Sequence, residues 1–143
     1  MIKKLIKILV VEDSLSDIEL MKEIVSESNF DLDTSSFVFV TSGEEALNYI
    51  AINEVDFIIL DLNLPKISGK EVLKFIKNSE NKKQIPIIMF SSSTLQEDIA
   101  DCYNSYANAY IKKPVDFHEL KNVFDIIKKF WLEISLLSSG KSK

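Results

Sequence analysis

The sequence predicts a doubly wound α/β domain, in which helices cover both faces of a parallel sheet. Segments with the patterns of strands and of helices alternate five times along 143 residues, a length that suits one domain with its own core. The strand segments are short and almost continuously apolar, which is the pattern of strands buried on both faces. Hydrophobic residues make up 46% of the chain, close to the norm for globular proteins.

The first half of the chain predicts two strands and two helices. A strand at about residues 4–11 leads to Ser14, whose hydroxyl can cap the first helix. The core-facing stripe of that helix is Ile18, Met21, Ile24 and Val25. A second strand at residues 36–40 precedes a helix that opens with Glu44 and Glu45, whose charges suit its N-terminal dipole. We expect its buried face to contain Ala46, Leu47, Ile50 and Ala51.

The third strand and third helix flank a loop marked by Pro65 and Gly69. The strand is expected at residues 56–60, directly before Asp61. The apolar residues that mark the helix are Val72, Leu73, Phe75 and Ile76.

The last part of the chain predicts two more strand–helix pairs. After a strand at residues 85–90, the hydroxyl-rich residues 91–94 are expected to cap a fourth helix at about residues 95–106. This helix is polar and only weakly amphipathic, so we expect it to be the least firmly packed. A short strand at residues 109–111 then leads into a long final helix.

Charged and hydroxyl residues follow four of the predicted strands. Glu12 and Asp13 follow the first, Asp61 the third, Ser91 the fourth and Lys113 the fifth. Because ligands bind outside the carboxyl ends of the strands in an open parallel sheet, we expect these side chains to meet in one cleft. Their chemistry predicts a Mg²⁺-assisted phosphoryl acceptor.

In such a site, each of these residues would have a defined role. Asp13 and Asp61 would bind Mg²⁺ directly, Glu12 directly or through water, and the backbone carbonyl of Asn63 would add an oxygen. Lys113 would pair with the incoming phosphoryl group, and the Ser91 hydroxyl would donate to another of its oxygens. Taken singly, the acids read equally well as helix caps or turn residues. Only their joint order along successive strand ends is specific.

Four segments together resemble the receiver domains of two-component response regulators. They are residues 10–14 (Val-Val-Glu-Asp-Ser), residues 61–65 (Asp-Leu-Asn-Leu-Pro) with Gly69, residues 86–91, and residues 110–114 (Tyr-Ile-Lys-Lys-Pro). The resemblance covers about residues 5–134. It implies that Asp61 is the phosphoacceptor, Glu12 and Asp13 the acidic pocket, and Lys113 the lysine that contacts the phosphoryl group. It also implies that Ser91 and Tyr110 are the switch residues.

The same resemblance carries expectations about fold and relatives. It implies a flavodoxin-like sheet of five parallel strands in the order 2-1-3-4-5 with five helices, and a cis bond before Pro114. The chain is most similar to stand-alone regulators paired with bacterial phytochrome kinases in three details: residues 61–66, residues 113–116 and the pair Phe130-Trp131. The chain departs from the family at Ser68, where Asp or Asn is frequent, and at Ser92, where Ala is frequent.

The implied partners are a sensor histidine kinase or a phosphotransfer protein in the cytoplasm. We expect a receiver domain at residues 1–137, a flexible tail at residues 138–143 and no output domain, so the output would be a contact surface. A helix 4–strand 5–helix 5 surface would then switch for partner binding or dimerisation. One apolar stripe of the last helix is expected to dock it on the sheet: Phe117, Leu120, Phe124, Ile127 and Trp131. The helix carries a second apolar stripe beside it, with Val123, Ile126 and Phe130 as interface candidates. Either this stripe widens the core-facing side or it supports a homodimer.

Composition excludes several other functions. A formal net charge of −5 argues against nucleic acid as a partner, and no apolar run approaches the length of a membrane span. The single cysteine, Cys102, rules out an internal disulfide. His118, the only histidine, reads as a solvated residue of the last helix.

A phosphoaspartate phosphatase would need a second Asp two residues after its nucleophile, and neither Asp13 nor Asp61 has one. A binding module that keeps the fold but works without phosphorylation remains the alternative.

Overall fold

The computed structural model describes residues 5–27 and 35–138, and within them strands and helices alternate along the chain. The strands are β1 (Ile6–Val11), β2 (Ser35–Val40), β3 (Phe57–Leu60), β4 (Ile87–Ser91) and β5 (Ala109–Lys112). The helices are α1 (Leu15–Glu27), α2 (Gly43–Ile52), α3 (Gly69–Lys77), α4 (Gln96–Asn104) and α5 (Phe117–Ile127), with a π-helical segment (Lys128–Ile134) directly after α5. The predicted start of the first strand at residue 4 and residues 139–143 of the predicted tail lie outside the described residues.

The described strands form a parallel sheet in the order β2-β1-β3-β4-β5, which confirms the predicted fold and its strand order. β1 pairs with β2 on one side, where Val10 lies opposite Phe39, and with β3 on the other, where it lies opposite Ile59. The chain reverses direction across the sheet between β1 and β3. The carboxyl ends of these two central strands therefore open into the crevice where α/β sheets bind ligands.

Alternate residues of the central strands face opposite layers of the core. One layer, with the helices α2, α3 and α4, includes Leu9, Val11, Ile58, Leu60, Ile87 and Met89. The other, with α1 and α5, includes Ile8, Val10, Phe57, Ile59, Ile88 and Phe90. This period of two, with both faces buried, is the reason that the strand segments read as unbroken apolar runs.

The predicted cap of α1 is observed, and α3 has a cap that was not predicted. The hydroxyl of Ser14 accepts a hydrogen bond from the backbone N–H of Asp17 at 3.3 Å, as expected for the cap of α1. Ser68 caps α3 through a reciprocal pair of bonds with Glu71, of 3.2 Å and 3.0 Å. At Ser68 the chain departs from the family that it resembles, and here the serine supplies the helix cap.

One residue expected on a buried face, Ala51, and one of the apolar residues that mark the third helix, Phe75, are exposed. Phe75 on α3 is 63% exposed, while its neighbours Val72, Leu73 and Ile76 are buried. On α2, Ala51 is exposed although Ala46 and Ile50 are buried and Leu47 is half-buried. At 100° per residue, Phe75 and Ala51 each fall beyond the edge of the buried stripe of their helix.

The expected hydroxyl cap of α4 is wrong, whereas its weak packing is observed. The N-cap residue is Leu95, whose apolar side chain makes no capping hydrogen bond. The helix starts one residue later than expected, which leaves residues 91–94 too early to cap it. Of the nine residues of α4, all of them described, only Cys102 is buried.

The final helix continues from α5 into the π-helical segment, and the two stripes predicted for it differ in burial. Leu120, Phe124 and Ile127 are buried, and the Trp131 ring packs on Phe57 with centroids 5.4 Å apart. Of the second stripe, Ile126 and Phe130 are 58% and 51% exposed, whereas Val123 packs with part of its surface against the core.

Two further expectations concern single features of the chain. The described residues contain no cis peptide bond, so the expected cis bond before Pro114 is wrong. The trans form of a bond before proline differs from the cis form by only about 0.5–1 kcal/mol, so neighbouring contacts decide between them. In the described parts of the chain, none of the helices is long and apolar enough to cross a membrane.

The unequal burial of two phenylalanines predicts unequal costs of truncation. Phe124→Ala removes a fully buried ring that packs edge-on against Phe90 at 6.2 Å, so we expect a loss of about 3–5 kcal/mol in the free energy of unfolding. Phe75→Ala, the matched control on an exposed helix face, should change it by less than about 0.5 kcal/mol. Urea denaturation of both variants measures this, and similar losses would contradict the assignment of Phe75 to the surface.

Candidate functional site

Asp61 follows β3 at the centre of the sheet edge and is only 6% exposed. Its backbone N–H donates to the carbonyl of Val11 at 3.0 Å, which extends the pairing of β3 with β1 by one residue. One carboxylate oxygen, Oδ1, accepts a long hydrogen bond of 3.4 Å from the N–H of Asn63. The carboxylate is therefore held close to the end of β1, where the acidic pair follows.

Gly69 lies against the backbone of Asp61. A Cβ atom at this position would stand 2.1 Å from the Asp61 carbonyl oxygen and 2.7 Å from the Cα of Leu62. The N–H of Gly69 also donates to the Leu62 carbonyl at 2.8 Å, which pins the start of α3 to this loop. The sequence indicated a loop boundary here, and the structure adds that only glycine allows this approach.

The carboxylates of Glu12, Asp13 and Asp61 form one cluster. Each offers an oxygen atom, and these three atoms lie within 4.8 Å of one another. Glu12 is 2% exposed and Asp13 is exposed, so the cluster is open to solvent on one side. An all-oxygen donor set with an open side fits a hard divalent cation such as Mg²⁺, which keeps several of its waters. Asn63 is exposed beside the cluster, and its carbonyl remains a predicted ligand.

Lys113 connects the cluster to α1. Its Nζ lies 2.6 Å from Glu12 Oε1 and 3.7 Å from Asp61 Oδ2, as the strand-end pattern predicted. It also lies 3.2 Å from Asp17 Oδ2, a contact that sequence reasoning missed. The position of Asp17, one turn after the acidic pair, was the available signal for this contact.

Burial and crowding of like charges shift the protonation of the cluster. Burial raises the pKa of Glu12 to about 7; the hydrogen bond from Lys113 opposes this shift and the charge of Asp61 adds to it. Burial also raises the pKa of Asp61, against the opposing charge of Lys113. Although burial alone would lower it, the pKa of Lys113 is raised by its hydrogen bond to Glu12 and by the charge of Asp61. The ammonium therefore stays protonated, and the two buried carboxylates compete for one cation.

Ser91 and Tyr110 lie on neighbouring strands and meet at the backbone of Ser93. Ser91 is fully buried, and its hydroxyl accepts a hydrogen bond from the N–H of Ser93 at 3.2 Å. The hydroxyl of Tyr110, a half-buried residue, donates to the Ser93 carbonyl at 2.9 Å. The Ser91 carbonyl accepts from the N–H of Lys113 at 2.8 Å, which joins the ends of β4 and β5.

The sequence matches the response regulator receiver domain family over residues 8–125. The chain belongs to this family. Among curated relatives of this receiver domain is the probable methanogenesis regulatory protein FilR2 of Methanothrix harundinacea. The two are 34% identical over 131 residues, which cover 87% of this chain and 83% of the relative. The response regulator Rcp1 of Synechocystis sp. is 32% identical over 140 residues, which cover 93% of each chain.

Solved structures show the same fold as this receiver domain. The phosphorylated cyanobacterial phytochrome response regulator RcpA aligns with a TM-score of 0.87 at 35% identity, over 94% of this chain and 99% of that one. The Mn²⁺-bound form of Rcp1 aligns with a TM-score of 0.82 at 32% identity, over 92% and 98%. These relatives confirm the predicted similarity to phytochrome response regulators.

The raised pKa of Glu12 predicts a pH-dependent affinity for Mg²⁺. A proton on Glu12 competes with the cation, so with a pKa of about 7 the affinity should rise about tenfold between pH 6 and pH 8. Without metal, the folded protein binds this proton more tightly than the unfolded chain does. Stability should therefore fall as the pH rises from about 4.5 to about 7.

Isothermal titration calorimetry with Mg²⁺ at pH 6, 7 and 8 measures the change in affinity. Glu12→Gln should bind Mg²⁺ more weakly and with a flatter pH profile, because the titrating group is gone. Glu19→Gln, an exposed substitution on α1, is the matched control and should keep the wild-type profile. An unchanged slope in Glu12→Gln would contradict the role of Glu12.

Proposed function

We propose that this receiver domain accepts a phosphoryl group on Asp61 from the phosphohistidine of a sensor histidine kinase or a phosphotransfer protein. One observation carries the proposal: the buried Asp61 carboxylate shares an edge of the sheet with two further acids and a lysine. The Lys113 ammonium lies 3.7 Å from Asp61, close enough to meet a group bound there. The hydroxyl of Ser91 lies at the end of the next strand.

The transfer needs a nucleophile and charge neutralisation, and the residues supply both. An Asp61 carboxylate oxygen attacks phosphorus, the phosphorus–nitrogen bond breaks, and the imidazole nitrogen leaves with the electron pair and takes up a proton. Lys113 offsets the charge on the transferred oxygens. Glu12 and Asp13 would hold Mg²⁺ together with Asp61, and Mg²⁺ when bound supplies further positive charge to those oxygens.

Ser91 and Tyr110 connect the phosphoryl group with the surface formed by α4, β5 and α5. The Ser91 hydroxyl would move toward a phosphoryl oxygen, and Tyr110 would occupy the space that it leaves. The population would then shift between two arrangements of α4, β5 and α5. Ser93, which bonds to both residues, lies between them and α4. That RcpA was solved in a phosphorylated form and Rcp1 with Mn²⁺ bound supports the same chemistry here.

Phosphorylation of Asp61 can be tested directly by intact mass. Incubation with acetyl phosphate and Mg²⁺ should add the mass of one phosphoryl group, because the pocket itself promotes transfer from a small donor. Asp61→Asn removes the nucleophile and keeps the size of the side chain, so no mass should be added. Chelation with EDTA should also prevent the gain.

An exposed acid provides the matched control for this test. Glu54→Gln lies away from the cluster and should be phosphorylated as in the wild type. If folded wild-type protein that binds Mg²⁺ gains no mass, the proposal is wrong, and a binding module that works without phosphorylation takes its place.

We further propose that the exposed stripe at the end of α5 binds a second copy of the chain. Ile126 and Phe130 are both more than half exposed and lie four residues apart, so they share one face. Val123 lies beside this face, where part of its side chain packs on the core and the other part is exposed. A twofold interface would bring the same stripe together from both subunits.

Two charge substitutions test this dimer. Phosphorylated wild-type protein should have about twice the monomer mass in light scattering after size exclusion, and Ile126→Glu with Phe130→Glu should be monomeric. Ile52→Glu, at an exposed apolar residue of α2, should dimerise like the wild type. A wild-type protein that stays monomeric in both phosphorylation states would refute the dimer and leave Asp61 chemistry untouched.

A further inference from the structure

Helix α4 is held in place mainly by polar contacts. Cys102 is its only buried residue, and its N-terminus lacks a side-chain cap. Near its C-terminal end, the Tyr103 hydroxyl accepts a hydrogen bond from the backbone N–H of Tyr110 at 3.0 Å. With so little apolar area buried, the free energy that fixes the position of α4 is small, and a few polar bonds can decide it.

A three-residue ion cluster joins α4 to α3. The ammonium of Lys70 on α3 lies 2.8 Å from Asp98 Oδ1 and 2.9 Å from Asp101 Oδ2, both on α4. The hydrogen bond from Lys70, with a second from Ser93, holds the pKa of Asp98 below its usual range. Bonds to both carboxylates raise the pKa of Lys70. Lys70 and Asp98 are therefore charged at neutral pH, and the cluster bridges the two helices.

Ser93 links this cluster to the two switch candidates. Its hydroxyl donates to Asp98 Oδ2 at 2.6 Å and accepts from the N–H of Leu95 at 3.3 Å. Its N–H donates to the Ser91 hydroxyl, and its carbonyl accepts from the Tyr110 hydroxyl. A continuous path of hydrogen bonds thus runs from Lys70 through Asp98 and Ser93 to the edge of the phosphoacceptor pocket.

We propose that Lys70, Asp98 and Ser93 form a latch that holds α4 in its resting position and so sets how readily the domain switches. These are positioning residues, since they act through Ser91 and Tyr110 rather than on Asp61. The proposal rests on the proposed function. When the Ser91 hydroxyl turns to a phosphoryl oxygen, the N–H of Ser93 loses its acceptor, and the path that restrains α4 is broken at its first bond.

The exposure of the latch limits the size of its effect. The Lys70 and Asp98 side chains are 29% and 19% exposed, so solvent screens part of their attraction. Ion pairs of this kind contribute modestly, and we expect loss of Lys70 to raise the switched population about two- to fivefold. In the switched arrangement the pocket already has the geometry that accepts a phosphoryl group. The rate of phosphorylation by acetyl phosphate should therefore rise by a similar factor.

The test is ¹⁹F NMR of the full chain labelled with 3-fluorotyrosine, in which the Tyr110 signal is assigned by comparison with Tyr110→Phe. In unphosphorylated Lys70→Met, the chemical shift of this signal should move toward its value in the phosphorylated wild type. Lys70→Arg, which keeps the charge, should stay near the wild type. Lys74→Met, an exposed lysine one turn along α3, is the matched control and should leave both signal and rate unchanged.

A second variant separates the latch from general destabilisation. Asp98→Asn should shift the signal in the same direction, and the double variant with Lys70→Met should shift it by less than the sum of the two single shifts, because both substitutions remove the ion pair between Lys70 and Asp98. If wild-type protein is phosphorylated but Lys70→Met keeps the resting signal and the wild-type rate, the latch is refuted and the proposed function stands. If wild-type protein takes no phosphoryl group, the proposed function is wrong and the latch falls with it.

Discussion

The site depends on a single ammonium group that three carboxylates share. Lys113 lies within 4 Å of Glu12, Asp17 and Asp61, two of which are almost fully buried. Carboxylates brought this close in a buried pocket repel one another, and each loses hydration. Lys113 offsets part of that cost, and the raised pKa of Glu12 shows that the offset is incomplete. The remaining negative charge suits the cluster to a divalent cation. The same excess of negative charge that destabilises the empty pocket would therefore favour binding of the cation.

The parallel sheet makes this arrangement possible. Because β1 and β3 are adjacent, the residues after them lie side by side although they are about fifty positions apart in sequence. Pairing of β4 with β5 does the same for Ser91 and Lys113, whose backbones are joined by a hydrogen bond. The acids follow the central strands β1 and β3, and the lysine follows the edge strand β5. The strand pairing itself places these residues, and the loop after β3 adds the close packing of Gly69 against the backbone of Asp61.

Features that follow from chain periodicity were predictable, and features that depend on how a helix packs against the sheet or against another helix were not. Asp61 and Lys113 were found because an unbroken apolar run indicates a buried strand and its end indicates an edge. The contact of Asp17 with Lys113 depends on the rotation of α1 over the sheet, and the Lys70 cluster depends on how α3 meets α4. Sequence spacing contains neither quantity. Phe75 is a different case, because the 100° step per residue places it beyond the edge of the buried stripe, whereas its hydrophobicity alone does not.

The distribution of burial also suggests where a conformational response can go. The ends of β3 and β4 are packed on both faces, and Ser91 itself is fully buried, so the sheet has little freedom to move. Helix α4 contributes one buried side chain and is tied down by charged and hydroxyl groups. The hydrogen bonds at the end of β4 therefore lie between a rigid sheet on one side and the loosely held helix α4 on the other. The energy of a change in one of these bonds is far below that needed to repack the sheet but comparable to that of the bonds that hold α4. Because of this difference in packing, we expect a conformational response to involve α4 rather than the sheet.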